Sequence, residues 1–271
     1  MDEIEIYLKE DLGEEGDITS DALFSNEEVK AKIICKNNCI IAGLDELKIV
    51  FEKTGAITKT MVKDGDYIKK DTVVAEIHGL IRSILKGERL ALNIIGRMSS
   101  IATETNKIVK ICRKINPNIQ IAATRKTTPG FRKFEKKAVA IGGGISHRFG
   151  LFDAVMIKDN HIKAFGSVEE AVKKIKENVK NKIVEVEVEN QNDAITVAKM
   201  NIDVIMLDNF KPKTAKILSE QIREINPNVL IEISGGITPD NISGYVSFAD
   251  RISLGYLTHS VKNIDFSLEM T

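Results

Sequence analysis

Apolar positions along this chain change rhythm near residue 105. The opening stretch MDEIEIYLKEDLGEEGD is acidic and amphipathic and predicts a short helix, followed by Gly16-Asp17-Ile18-Thr19. Short apolar runs come next (AKIICK, IIAG), then a helical GLDELKIVFEKTG. After it, VKDGDYIKKDTVVAEIHG sets strand-like runs around Asp64-Gly65-Asp66, a tight-turn signal. Residues 86–113 read as one long helix or two abutting ones. From about residue 117 a second pattern takes over. The β-branched runs IQIAAT, AVMIK, IVEVEVE, DVIMLD, VLIEIS and RISLG alternate with the helical stretches GFRKFEKKAVAIGG, SVEEAVKKIKENV, QNDAITVAKM and PKTAKILSEQIREIN. Ser167 and Glu170 form a capping-box signature at one helix start. Strand–helix alternation predicts a parallel sheet, with enough units to close a barrel.

Composition narrows the classes. The chain has 271 residues and carries 39 Lys+Arg against 39 Asp+Glu, which argues against a general nucleic-acid or membrane-surface binder. No apolar run approaches the ~20 residues of a membrane span, and the acidic N-terminus is not a signal peptide. Cys35, Cys39 and Cys112 lack zinc-ligand spacing and read as reduced thiols of a cytoplasmic protein, with a structural role. The segment around Asp64-Gly65-Asp66 resembles the flattened sandwich of lipoyl and biotinyl carrier domains. Its tip lacks the modifiable lysine a carrier needs, so carrier function is not expected.

The charges are not evenly spread. In an α/β barrel, side chains just past the C-terminal strand ends converge on one mouth. IQIAAT ends in Arg125 and Lys126, AVMIK in Lys158, and IVEVEVE carries Glu187 near its end. DVIMLD ends in Asp208, VLIEIS in Ser234-Gly235-Gly236, and RISLG in Gly255. The glycine loops, on the last two strands, point to a phosphate held by backbone N–H groups. Arg125, Lys126, His147, Arg148 and Lys158 point to a second anion, for which arginine forks favour a carboxylate. Glu187 and Asp208 could accept ribose hydroxyls, or hold Mg²⁺ directly or through water. Phosphate, sugar and carboxylate together read as phosphoribosyl transfer. Arg132, Lys133, Lys136 and Lys137 fall on a helix and are expected mostly on a solvated face.

Three segments then carry a family resemblance: TRKTTPG at 124–130, GGGISHRFGL at 142–151 and IKDNH at 157–161. EDLGEEGDIT at 10–19, GERLALN at 87–93, EVE at 185–187, LDNF at 207–210, SGGI at 234–237 and LTHS at 257–260 add to it. Together they resemble quinolinate phosphoribosyltransferase, also called nicotinate-nucleotide pyrophosphorylase, over nearly the whole chain. The resemblance implies an α/β fold, with an N-terminal α/β sandwich domain (residues 1–105, joined by a C-terminal return at 259–271) and a C-terminal incomplete TIM-like barrel (106–258). It implies quinolinate and phosphoribosyl pyrophosphate as substrates, Mg²⁺ as cofactor, and a homodimer or hexamer with sites shared between subunits. By position, Arg125, Lys126, His147, Arg148 and Lys158 match the quinolinate lining, and Arg89 the arginine donated across subunits. Glu187 and Asp208 match the acids near ribose and metal. Ser234, Gly235, Gly236 and Gly255 match the phosphate loops. Lys126, Lys158, Glu187 and Asp208 are the expected catalytic groups.

Two other readings share these motifs. A molybdenum-transport accessory protein has the T-R-K and H-R patterns, but the intact Lys158-Asp159-Asn160-His161 favours the enzyme. A transferase acting on nicotinate, a monocarboxylate, would need fewer cations.

Overall fold

The computed structural model describes residues 2–271. Its first elements are α1 (Glu3–Leu12), α2 (Ile18–Leu23), β1 (Glu28–Cys35), β2 (Cys39–Ile40), α3 (Leu44–Thr54), β3 (Ile57–Thr60), β4 (Tyr67–Ile68), β5 (Thr72–Leu80) and α4 (Ile81–Arg113). Next come β6 (Gln120–Ala122), α5 (Arg132–Ile141), β7 (Val155–Ile157), α6 (Asp159–Phe165), α7 (Val168–Asn178), β8 (Val184–Val188) and α8 (Gln191–Ala198). The chain continues through β9 (Val204–Asp208), α9 (Pro212–Ile225), β10 (Leu230–Ser234), β11 (Arg251–Ser253), α10 (Tyr256–His259) and β12 (Phe266–Met270). These form two compact units. One holds the chain through Asn106, Thr128–Gly143 and Ser260–Thr271; the other holds Lys107–Thr127 and Gly144–His259.

In the first unit, an antiparallel sheet runs in the order β12-β1-β5-β3, beside the two-stranded pair β2-β4. Alternation along β1 buries Ala31, Ile33 and Cys35 on one face. The acidic start of α1 is a full capping box of Asp2 and Glu5. Left-handed glycines bound α3, Gly43 at φ 105° and Gly55 at φ 90°. Residues 81–113 make a single 33-residue helix, which starts before the predicted residue 86. Cys35 and Cys39 are buried free thiols with their sulfurs 3.5 Å apart.

Segment Thr128–Gly143 joins this unit, although the strand–helix rhythm places it in the barrel. The reason is packing. The buried carboxylate of Glu135 accepts bonds from Arg97 Nε (3.1 Å) and Nη2 (2.8 Å), and from the N–H and hydroxyl of Thr128 (both 3.1 Å). Phe131 sits 6.0 Å from Tyr7 and 4.9 Å from Phe134, ring to ring. At Gly142 a Cβ would lie 2.5 Å from Ala102 O and 2.7 Å from Thr105 Cβ, so only glycine lets this end meet α4. The expected solvated face of α5 is accordingly corrected. Lys136 is buried and Lys137 reaches Glu46 (2.9 Å) and Asp45 (3.0 Å), whereas Lys133 is exposed as expected and meets Glu3 (3.2 Å) at the surface.

The second unit is built on a parallel sheet in the order β6-β11-β10-β9-β8-β7. The strands wrap in sequence order, and β6 pairs with β11. Ile145 bridges Ala122 beside β6, while β7 ends the sheet, so the barrel is incomplete. The cross-strand row Val188, Leu207, Ile233, Ile252 and Ile121 is wholly apolar and buried. One residue along each strand, on the opposite face, the row reads Glu187, Met206, Glu232, Arg251 and Gln120. Pro212 opens α9, and Ser167 caps α7 by accepting from Glu170 N–H. The predicted capping box thus shows the half made by the serine.

Replacing Glu135 by Ala removes the shared acceptor beneath Arg97 and Thr128. The expected loss of stability is about 3–5 kcal/mol, read as the shift in a urea unfolding curve. A loss below about 1 kcal/mol would mean that the arginine finds water instead.

Candidate active site

The C-terminal ends of the parallel strands carry the predicted polar groups. Arg125 and Lys126 follow β6. Lys126 N–H donates to Thr124 Oγ1 (3.1 Å), and its carbonyl accepts from the buried Thr258 hydroxyl (2.6 Å). Lys158 precedes α6, and its N–H donates to His161 Nδ1 (3.0 Å). The Lys158 ammonium forms a short ion pair with Glu187 of β8. Asp208 ends β9 and accepts from Asn209 Nδ2 (2.6 Å).

The glycine loops differ in what each glycine does. Gly235 (φ 84°) and Gly236 (φ 60°) both lie in the left-handed region. A Cβ on Gly235 would fall 2.5 Å from Asn209 N, so this glycine is needed for the close approach of two strand ends. A Cβ on Gly236 would meet nothing within 4 Å, so this position borders open space. After β11, a Cβ on Gly255 would sit 2.9 Å from Lys126 Cδ and 2.8 Å from His259 Nε2. His259 therefore stands beside the expected phosphate loop, a place that its motif, LTHS, does not reveal by itself.

His147 and Arg148 occupy the irregular stretch between Ile145 and β7. His147 is left-handed, at φ 52°. Its Nε2 lies 3.0 Å from Glu232 Oε2 and 3.4 Å from Glu185 Oε2, all three side chains nearly inaccessible to solvent. Arg251 also donates to Glu232 (3.1 Å) and, through Nε, to Gln120 (3.0 Å). Burial by itself would lower the His147 pKa, but bonds and charges from Glu185 and Glu232 outweigh it and raise it to about 9. Burial raises the Glu185 carboxyl. Against its own burial, the Glu232 carboxyl is held below its ordinary range by His147 and Arg251. Imidazolium and guanidinium thus stand where a cation beside these acids would sit. Arg148 is buried and contacts Ala154 O and Met156 Sδ, each at 3.4 Å. Burial and then the neighbouring charge of Arg125 push its guanidinium below the usual range, while Glu185 and Glu187 pull the other way.

The second unit therefore brings together Arg125, Lys126, His147, Arg148, Lys158, Glu187, Asp208, Ser234, Gly235, Gly236 and Gly255. Arg89 belongs to the first unit, where it lines a cavity of about 630 Å³ with Tyr7, Asp11, Asn93, Arg97 and Phe131. Sequence reasoning missed Glu185 and Glu232. Glu187 and Asp208 stand on neighbouring strands as hard oxygen donors, a donor set that fits Mg²⁺, which binds through one or two carboxylates and keeps its waters. Among the described residues no helix is long and apolar enough to cross a membrane.

The raised His147 pKa has a signed consequence for stability. Against ~6.5 in the unfolded chain, its contribution is fully present below that pH and is lost as pH rises through about 9. Unfolding free energy should fall by about 2–3 kcal/mol between pH 7 and 9.5. In His147→Asn, denaturant titrations at the two pH values should lack that decrement; an unchanged decline would place its origin elsewhere.

Comparison with known proteins agrees with this geometry. The model of the quinolinate phosphoribosyl transferase N-terminal domain matches residues 17–99, and that of its C-terminal domain residues 101–269. A probable nicotinate-nucleotide pyrophosphorylase (carboxylating) of Archaeoglobus fulgidus is 45% identical over 258 residues, covering 94% of this chain and 98% of that protein. One from Methanocaldococcus jannaschii, described in the same words, is 45% identical over 263 residues, covering 94% and 92%. The solved nicotinate-nucleotide pyrophosphorylase of Francisella tularensis superposes with a TM-score of 0.92 at 35% identity, covering 99% of this chain and 94% of that one. Strand-end cations, glycine loops and both matched domains make this chain a member of the quinolinate phosphoribosyltransferase family.

Proposed function

We infer that this enzyme transfers the phosphoribosyl group of phosphoribosyl pyrophosphate to the ring nitrogen of quinolinate. Pyrophosphate and CO₂ leave, and nicotinate mononucleotide is made for NAD synthesis. The observation that carries the site assignment is the set of cations at the ends of β6 and β7, Arg125, Lys126 and Lys158, with Arg148 in the connection just before β7 and Lys158 paired to Glu187. Arg148 is buried while Arg125 is exposed, and guanidinium and ammonium groups gathered at one set of strand ends suit a substrate with two negative charges.

Arg125, Lys126, Arg148 and Lys158 hold the two carboxylates of quinolinate, with His147 beneath them. The Ser234-Gly235-Gly236 loop and Gly255 receive the 5′-phosphate, with Gly236 on the open side. Glu187 and Asp208 face the ribose. As the bond from C1 to pyrophosphate breaks, positive charge develops on the ring carbon and oxygen, where a fixed carboxylate stabilises it. The Lys158 ammonium orients Glu187 and tempers its charge, so that it supports the cation without attacking it. The pyridine nitrogen then attacks C1 and becomes cationic. The bond from C2 to its carboxylate breaks, CO₂ departs, the electron pair stays at C2 beside the cationic nitrogen, and a proton takes the vacated position. Glu187 and Asp208 would hold Mg²⁺, which would supply positive charge to offset that of the pyrophosphate leaving group. The assembly we favour is a homodimer or hexamer in which Arg89 completes the site of a neighbouring subunit.

Incubation with quinolinate, phosphoribosyl pyrophosphate and Mg²⁺ should release CO₂, whereas nicotinate in place of quinolinate should yield no mononucleotide. Arg148→Ala should lower quinolinate turnover about 30- to 1000-fold, the loss of one charge-assisted contact. Equal use of nicotinate would overturn the dicarboxylate assignment.

Arg89→Ala and Lys158→Ala homo-oligomers should each be nearly inactive. After subunit exchange, mixed dimers should recover at most about a quarter of wild-type activity, since a two-fold interface rebuilds one site in half of the dimers. Exchange confirmed by mass, without recovered turnover, would confine Arg89 to its own subunit.

A further inference from the structure

The stretch from Ser146 to Phe149 belongs to no helix and no strand, yet it carries Arg148. Its last ladder contact is Ile145 against Ala122 and Ala123. Beyond that point, side chains hold the backbone. On one flank of Arg148 the Phe149 N–H donates to Asp153 Oδ2 (2.8 Å). On the other, the His147 ring is fixed by Glu232 (3.0 Å) and Glu185 (3.4 Å). His147 is left-handed at φ 52°, a conformation that costs a non-glycine residue of order 1 kcal/mol and persists only where surrounding contacts impose it. The anchors are rigid. Glu185 and Glu232 sit within central strands β8 and β10, and Glu232 is tied through Arg251 to Gln120 on β6. The Arg148 guanidinium reaches Ala154 O and Met156 Sδ, each at 3.4 Å, and its backbone continues directly from that of His147, so a shift of the clamped ring carries the arginine with it.

We propose that Glu232 and Glu185 are positioning residues which, through the imidazole of His147, fix the backbone of Arg148 and so set where its guanidinium meets a substrate carboxylate. The inference rests on the reading that Arg148 binds quinolinate. His147 then serves as the clamped link between a buried acidic pair and the arginine beside it. Glu232 and Glu185 touch no substrate, and their effect on binding passes through Arg148.

The test measures binding by calorimetry for the full-length protein, with quinolinate and with phosphoribosyl pyrophosphate as separate ligands. The variants are Arg148→Ala, Glu232→Gln, their combination, and Glu185→Gln. Arg148→Ala and Glu232→Gln should each weaken quinolinate about tenfold or more, while phosphoribosyl pyrophosphate changes less than about threefold. In the Arg148→Ala background, Glu232→Gln should add less than about threefold for quinolinate, because the two act through one contact. If Glu232→Gln fails to fold, Glu185→Gln, which removes the other carboxylate on the same ring nitrogen, carries the same comparison with and without Arg148→Ala. The proposal is overturned if the acid variant leaves quinolinate unchanged, weakens both ligands alike, or multiplies in full with Arg148→Ala. An Arg148→Ala protein that binds quinolinate normally would instead overturn the substrate role of Arg148.

Discussion

The Glu232 carboxylate, buried between the imidazole of His147 and the guanidinium of Arg251, is the interaction on which the second unit turns. A carboxylate at this depth is costly unless charge and hydrogen bonds surround it, and removing one partner leaves the other charge stranded. Its partners come from different places. Arg251 lies on the neighbouring strand, whereas His147 comes from an irregular connection that must bend into the left-handed region to present its ring. The ion cluster is thus a fastening between regular sheet and irregular chain, at the stretch where the barrel leaves β7 without a further strand.

Most α/β barrels fill their interior with layers of branched aliphatic side chains. Here one face of the sheet follows that rule, with Val188, Leu207, Ile233, Ile252 and Ile121 in register, while the other carries Glu187, Glu232 and Arg251. An apolar replacement of matched volume is often more stable than a buried ion cluster. The polar row makes sense from what lies at its edge: Glu187 belongs to that row and pairs with Lys158. Stability is given up locally for a charged base under the anion site, the usual trade at functional centres.

Much of this was legible from residues alone. Strand rhythm placed the six parallel strands, because β-branched runs separated by helical periods fit few arrangements besides a parallel sheet. The glycine loops and the cations after β6 and β7 followed from where strands end. Two things escaped for physical reasons. Phe134, Ala138 and Val139 of α5 are buried, but a helical stretch between two strands cannot say which unit receives its buried face. Gly142 held that information, since its missing side chain is what α4 fits against. Glu185 and Glu232 were also in view. IVEVEVE sets glutamate at alternate positions and VLIEIS sets one, in strands that a parallel sheet normally makes apolar on both faces. Glu187 lies nearer the C-terminal end of β8 than Glu185 does, and it is at that end that side chains converge on the mouth. The short helix α6 starts one residue after β7, with only Lys158 between them and no loop to mark its start.

The pairing of β1 with β12 bears on how the protein is made. Cys35 stands opposite Phe266 and Ala31 opposite Met270, so the sheet of the first unit closes with residues translated after the whole of the second. Until they leave the ribosome, β1 is an edge strand with a row of unsatisfied N–H and C=O groups, a template for another nascent chain. A contact so distant in sequence forms late and slows folding. The unit that begins first on the ribosome is the one that finishes last, and the vulnerability of this protein during synthesis lies near its beginning.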